Sequence, residues 1–117
     1  MANPNIVNVT TITGKTAVQA VGTSATAIVT NPASSGKVLK INALYVSNVD
    51  GANNAEITVD LYRSGTAYHV AKTILVPSNT TLDIISKAFY LEEGDSLRLT
   101  ANVASDLEAV CSYEEIS

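Results

Sequence analysis

The sequence contains few of the residues that catalytic or metal-binding sites require. Its 117 residues include one cysteine (Cys111), one histidine (His69) and no tryptophan. A single cysteine cannot form an intrachain disulfide bond or a thiolate metal site. A single histidine cannot build a metal site alone, and no nucleophile is visible for it to activate. We therefore expect no catalytic residue, no bound metal and no cofactor, and an inert Cys111 in the core.

Charge is also scarce, because charged residues make up 15% of the chain and hydrophobic residues 46%. This balance is too apolar for disorder and lightly charged for a monomer's surface, so we expect another protein to cover part of it. The seven basic residues are scattered singly, which argues against nucleic-acid binding.

No apolar run approaches the roughly 18 residues that span a membrane, and the opening "MANPNIVNV" lacks the features of a secretion signal. We expect synthesis in the cytoplasm, a soluble product and no membrane partner. Acids concentrate late in the chain, with six bases and four acids before residue 92 and one base and seven acids from there on. The acidic segment Asp106 to Glu115, with Glu114 and Glu115, is expected to face a more basic neighbour.

Alternation with a period of two predicts strands throughout. In "EITVDLYR" the side chains of Ile57, Val59 and Leu61 share one face, opposite Tyr62, as in a half-buried strand. "SLRLTANV" and "DLEAVCSYEEI" behave likewise, with Val103 facing inward, and we expect these two segments to pair with each other. Further predicted strands are 26–30, 37–47, 67–76, 81–85 and 88–91.

Short strands with regular turn signals predict an all-β antiparallel sandwich, of jelly-roll or immunoglobulin-like type. The sandwich is expected over residues 24–117. Residues 1–23 are rich in Thr, Asn, Ala and Gly and are expected to form an extended N-terminal arm or an edge strand. The candidate partner-binding residues of this arm are Asn5, Val7, Val9 and Ile12.

Two loops carry oxygen-rich side chains. Glu92, Glu93 and Asp95 flank Gly94 in "LEEGD", and we expect a turn between strands whose acids stay solvated, because glycine supplies the permissive backbone. The loop Asp50 to Asn54 lacks the residue order of a calcium loop and is predicted to be a hairpin connection.

Three side chains of the central strands are candidates for contact with a partner. Tyr62 lies on the polar face of its strand, and Tyr68 and His69 follow in "AYHVAK". Exposed tyrosine can stack on a sugar or pack against another subunit. A carbohydrate-binding adhesion module is therefore the alternative of a different class.

Several segments resemble small structural proteins of tailed bacteriophages, most closely those of marine cyanophages. The likeness is carried by "GKVLKINALYVSNVDG", "AYHVAKTILVPSNTTLDII", "KAFYLEEGDSLRLTA" and "DLEAVCSYEEIS". The resemblance implies a non-enzymatic virion component and makes "LEEGD" a recurring structural corner.

On this basis we expect a capsid decoration or cement protein, located on the virion, that forms a homo-oligomer, with a trimer favoured. Its partners would be copies of itself and the major capsid protein. The alternative within the same class is a tail, neck, baseplate or fibre-associated protein.

Overall fold

Nine strands and no helix make up the part of the chain that the computed structural model describes, residues 3–117. Residues 1 and 2 of the predicted arm lie outside the described residues. The strands are β1 (Ile12–Ala20), β2 (Thr26–Thr30), β3 (Val38–Asn48), β4 (Ala55–Arg63), β5 (Thr66–Val76), β6 (Thr81–Asp83), β7 (Phe89–Leu91), β8 (Ser96–Ala101) and β9 (Leu107–Ile116).

Strand pairing is nested from the ends of the chain towards its middle. β1 pairs with β9, β2 with β8, β3 with both β6 and β7, and β4 with β5, all antiparallel. β6 and β7 meet the two ends of β3, so they form one interrupted strand position. The chain is thus one long antiparallel hairpin. Its successive strand pairs alternate between two sheets.

The two sheets pack into an antiparallel β-sandwich, which confirms the predicted fold class. Sheet A has the order β1-β9-β3-β6, with β7 also on β3, and sheet B has the order β2-β8-β4-β5. In an immunoglobulin-like sandwich the first two strands share a sheet, whereas here β1 and β2 lie in different sheets. The nested pairing is that of a jelly roll.

The core lies between the sheets and follows the predicted alternation. Ile57, Val59, Leu97 and Leu99 are completely buried, as expected from the period of two in β4 and β8. The other large, fully buried apolar side chains include Ile41, Leu44, Leu91 and Leu107. Burial of this apolar surface is the main favourable term in folding.

The predicted pairing of the last two strands is wrong. β8 pairs with β2 and β4 in sheet B, whereas β9 pairs with β1 and β3 in sheet A. The connection 102–106 therefore crosses between sheets. Val103 lies in this connection and is exposed rather than inward-facing, because its segment leaves the strand at Ala101.

The predicted hairpin at Asp50 to Asn54 is also wrong, because this loop carries the chain from β3 in sheet A to β4 in sheet B. The Asp50 carboxylate accepts hydrogen bonds from the main-chain N–H of Ala52 at 3.0 Å and from Asn53 Nδ2 at 3.1 Å. These bonds stabilise the charged form and lower the pKa of Asp50. The polar side chains of this loop therefore stabilise the connection between the two sheets.

Replacing Leu44, a fully buried residue of β3, should test this core. Leu44→Ala should lower the free energy of unfolding by about 2–5 kcal/mol, since it removes buried apolar atoms and leaves a cavity. Val103→Ala, in the exposed crossover, is the control and should change it by less than about 0.5 kcal/mol. Urea unfolding followed by circular dichroism measures both, and a comparable loss for the two variants would contradict the described packing.

Candidate interaction surface

The acidic corner Glu92 to Asp95 is held together by an ion pair. Asp95 is only 1% exposed, and its carboxylate accepts the Nε–H of Arg63 at 2.7 Å together with a second bond from Arg63 Nη2. Asp95 also accepts the main-chain N–H of Glu92 at 2.8 Å. The expectation that all acids of this corner stay solvated is therefore wrong for Asp95, which must be paired because it is buried.

The corner is a structural joint between two loops. Gly94 has φ +88°, which a glycine adopts at little cost. The buried side chain of Asn31 donates from Nδ2 to the carbonyl of Lys37 at 2.9 Å and to that of Leu91 at 3.1 Å. Satisfied bonds of this kind are what buried polar groups require. These bonds tie the β2–β3 connection to β7, as expected of a structural corner.

The outer face of sheet B carries a second ion pair. Arg98 Nε donates to Asp60 Oδ1 at 2.8 Å, and the Arg98 guanidinium lies 3.9 Å from the centre of the Tyr62 ring. The carboxylate raises the pKa of Arg98, and the stacking adds a cation–π contact. One face of Tyr62 is thus covered by the protein's own arginine.

The other two predicted contact residues of the central strands do not join Tyr62 in a groove. His69 is exposed and lies opposite Asp60 in the β4–β5 register, whereas Tyr68 lies opposite Leu61. Successive side chains of a strand point to opposite faces. Tyr68 and His69 therefore belong to different faces of sheet B, and the three side chains do not form a common aromatic platform.

Cys111 lies in the core, as predicted. Its side chain is completely buried, and burial raises the pKa of its thiol to about 11. Because the thiolate is the reactive form, this residue is inert in the folded protein.

The acidic end of β9 is compensated within the chain. Glu115 accepts hydrogen bonds from Lys37 Nζ at 2.8 Å and from Lys15 Nζ at 3.1 Å, and these bonds lower its pKa. Glu114 lies opposite Gly14 of β1 and Lys40 of β3. Glu115 is therefore not the free charge that was expected to meet a basic neighbour, because β1 and the β2–β3 loop already supply two lysines.

The four predicted residues of the arm fall in two different places. Asn5, Val7 and Val9 precede β1, where Val7 is strongly exposed and Val9 is half-buried. Ile12 is the first residue of β1, which forms an edge of sheet A by pairing with β9 over its whole length. Residues 12–20 are thus part of the sandwich.

The largest group of exposed apolar side chains on one strand lies on β5 and is called here the β5 patch. It consists of Tyr68, Val70, Ile74 and Leu75, with exposed fractions from 39% to 56%. β5 is an edge strand of sheet B and packs almost entirely against β4. Tyr68 and Ile74 lie opposite the inward-facing Leu61 and Ile57 of β4, whereas Leu75 lies opposite Glu56 on the other face. The β5 patch therefore wraps around the edge of sheet B, and exposed apolar side chains grouped in this way make the edge a candidate interaction site.

The inward-facing side chains of the β5 patch, Tyr68 and Ile74, are exposed because the opposite sheet is incomplete there. The position that would cover β5 is occupied by the short, interrupted strands β6 and β7. Two register irregularities against β4 and a positive φ at Thr73 also disturb the middle of β5. Bulges discourage a continuous ladder with another chain, so this patch is suited to side-chain packing.

Only Tyr68 of the β5 patch is predicted from the sequence as a contact residue. Val70, Ile74 and Leu75 are missed because an apolar residue in a predicted strand is normally assigned to the core. The available signal is the uninterrupted run "ILV" at the end of β5, which breaks the alternation and leaves one large side chain facing outward.

A smaller apolar row crosses the outer face of sheet A. Val18, Val110 and Tyr45 lie opposite one another on β1, β9 and β3, and all three are exposed. A shallow depression of about 320 Å³ lies beside Val18 and Val110. This row is the second exposed apolar feature of the described surface.

Neither a metal cluster nor a membrane-spanning helix is found within residues 3–117. No group of three or more His, Cys, Asp or Glu side chains is placed to hold an ion there. No helix of that region is long and apolar enough to cross a bilayer.

Comparison with known proteins shows the fold alone. No protein-family model and no curated protein matches the sequence. A chain in the solved structure described as "Bacillus endospore appendages form a novel family of disulfide-linked pili" is similar, with a TM-score of 0.52 and 17% identity over 92% of this chain and 88% of that chain. The likeness to phage structural proteins stays a prediction.

Removing the guanidinium of Arg63 should show how much a buried, unpaired Asp95 carboxylate destabilises the fold. Arg63→Met should lower the free energy of unfolding by about 3 kcal/mol, because Asp95 is left buried without its counter-ion. Lys87→Met, at an exposed position, is the matched control with an expected change below about 0.5 kcal/mol. Chemical denaturation at neutral pH gives both values, and equal effects would show that the corner does not depend on this pair.

Acid should weaken the contact between β1 and the rest of sheet A. The pKa of Glu115 is lowered from its ordinary value of 4.5 by Lys37 and Lys15. Its contribution, of about 1 kcal/mol for partly exposed pairs, is therefore present above pH 4.5 and lost as the pH falls through the lowered value. Glu115→Gln should be less stable than the wild type at pH 7 and indistinguishable from it well below the lowered pKa.

Glu114→Gln is the control for this acid effect, since it keeps both lysine bridges to Glu115. It should retain the wild-type loss of stability on acidification. An acid response in Glu115→Gln as large as that of the wild type would assign the effect to other carboxylates.

Proposed function

We propose that this chain is a non-enzymatic structural subunit that assembles with copies of itself, and that it serves as a decoration protein on a bacteriophage head. The observation that carries self-assembly is the β5 patch. The assignment to a virion rests on the sequence resemblance to phage structural proteins. Many weak contacts repeated over a lattice give firm attachment without a single tight site.

The β5 patch is suited to a second copy of the same strand. Its apolar residues lie on both sides of the strand's midpoint at Ala71, with Tyr68 and Val70 before it and Ile74 and Leu75 after it. A two-fold axis through Ala71 would bring Tyr68 of one copy opposite Ile74 of the other. These aromatic and aliphatic side chains would pack against each other without a continuous ladder, and a two-fold contact uses the same patch on both subunits.

The oligomer number distinguishes two forms of this assembly. β5 against β5 gives dimers, or larger even-numbered assemblies if a second contact exists. The trimer that the sequence analysis favours requires β5 to meet a different surface of its neighbour, because a three-fold ring is built from heterologous contacts.

A fibre or appendage subunit is the second candidate. It is favoured by the structural similarity to a chain from disulfide-linked pili, and it includes the tail-fibre alternative. A disulfide-linked polymer needs at least two reactive cysteines in each subunit, whereas these 117 residues contain one, which is buried. A fibre of this chain would therefore be held by noncovalent contacts, and electron microscopy separates filaments from closed oligomers.

Charged residues in the β5 patch should disperse the assembly. Tyr68→Lys/Leu75→Lys should weaken self-association at least tenfold, because each copy would bury a lysine against apolar side chains. The mass over a range of concentrations, measured by analytical ultracentrifugation, should approach 12.2 kDa for the variant and exceed it for the wild type.

Val18→Lys/Val103→Lys is the matched control, with the same two charges at exposed apolar positions of sheet A and the 102–106 crossover. It should associate like the wild type. Dispersal by the control but not by the β5 variant would place the contact on sheet A and contradict the assignment of the β5 patch.

A further inference from the structure

Residues 3–9, called here the strap, run from the start of β1 across the end of sheet A. The root of the strap is fixed by main-chain bonds in which Thr10 and Thr11 donate to the carbonyl of Ser117 at 2.7 and 2.9 Å. Its tip is fixed by Asn3, whose Nδ2 donates to Glu92 Oε1 at 2.7 Å. Two anchors therefore hold the strap.

The middle of the strap is poorly packed. Ile6 is 51% and Val7 85% exposed, so these side chains gain little from burial in their own subunit. A cleft of about 260 Å³ lies between the strap residues Pro4 and Ile6 and the sheet residues Val38 and Tyr90. Segments with few buried apolar contacts open locally at low free-energy cost.

The receiving side of this cleft does not depend on the strap. Val38 is buried in β3, and Tyr90 lies in β7. Glu92 is held by Arg63 Nη2 at 3.0 Å, and its main-chain N–H is bonded to Asp95. The polar anchor and the apolar wall therefore stay in place when the strap leaves.

We propose that in the assembled protein the strap of one copy lies against Val38, Tyr90 and Glu92 of a neighbouring copy, in place of that copy's own strap. The inference rests on the proposed self-assembly and names the second contact that it uses. The fit is given by identity, because the same segment already forms one wall of the same cleft within one chain. When subunits exchange an identical segment, the contacts between them are the same as those within one chain. A neighbour that is already bound through β5 presents its cleft at a high effective concentration.

The strap's composition and length set the geometry of the exchange. Residues 3–9 read "NPNIVNV" and carry no charge. Although each copy has a net charge of −4, the strap itself brings no charge repulsion to its binding position. Seven extended residues span at most about 25 Å. Thr10 of the donor must therefore lie within about this distance of Glu92 of the receiver.

The test uses two differently tagged populations, one carrying Asn3→Cys and the other Glu92→Cys. They are mixed at a concentration at which the wild type assembles and are treated with a short bifunctional thiol crosslinker. Cys111 is buried in both and does not react. A heterodimer carrying both tags is expected, at least tenfold above the control mixture of Val103→Cys with Glu92→Cys.

The double variant Asn3→Cys/Glu92→Cys in a single chain tests the alternative, in which each strap stays on its own subunit. Intrachain crosslinks in the double variant, with heterodimer no higher than in the control mixture, would overturn strap exchange. Absence of crosslinks in both experiments would overturn it as well, since the strap would then lie beside Glu92 of neither copy. If assembly through β5 persists in either case, the proposed function stands without the exchange, whereas a chain that stays monomeric contradicts both.

Discussion

The pairing of β9 with β3 is the constraint on which the rest of the architecture depends. β9 pairs with β3 over almost its whole length and with β1 on its other side, which puts the late segment of the chain in the middle of sheet A. β8 and β4 form the equivalent centre of sheet B. β5 is then an edge strand, and the short β6 and β7 leave it partly uncovered.

The ion pairs of this structure join parts of one subunit. Arg63 with Asp95, Arg98 with Asp60, and Glu115 with its two lysines join strands or loops of one chain. These ion pairs are made within one subunit, so the proposed assembly rests on apolar contacts. In the proposed assembly the β5 patch and the strap would contribute apolar contacts, whose strength depends on buried area and packing.

Local structure was predictable from the sequence, whereas the choice of partner strands was not. The period of two identified β4, β8 and β9 and their buried residues, because alternation reports which face is covered. It does not report which strand lies alongside, so the predicted pairing of β8 with β9 and the predicted hairpin at Asp50 are both wrong. Most of the β5 patch escapes prediction for a related reason: an apolar residue of a predicted strand looks like a core residue until its face and the extent of the opposite sheet are known.

Hydrogen–deuterium exchange of the wild type, compared at a dilute and an assembling concentration, tests the central claim most directly. Assembly through the β5 patch predicts that the amides of β5 gain protection with concentration, while those of the 102–106 crossover exchange equally fast in both samples. Equal exchange of β5 at the two concentrations, with new protection on the outer face of sheet A instead, would contradict the account.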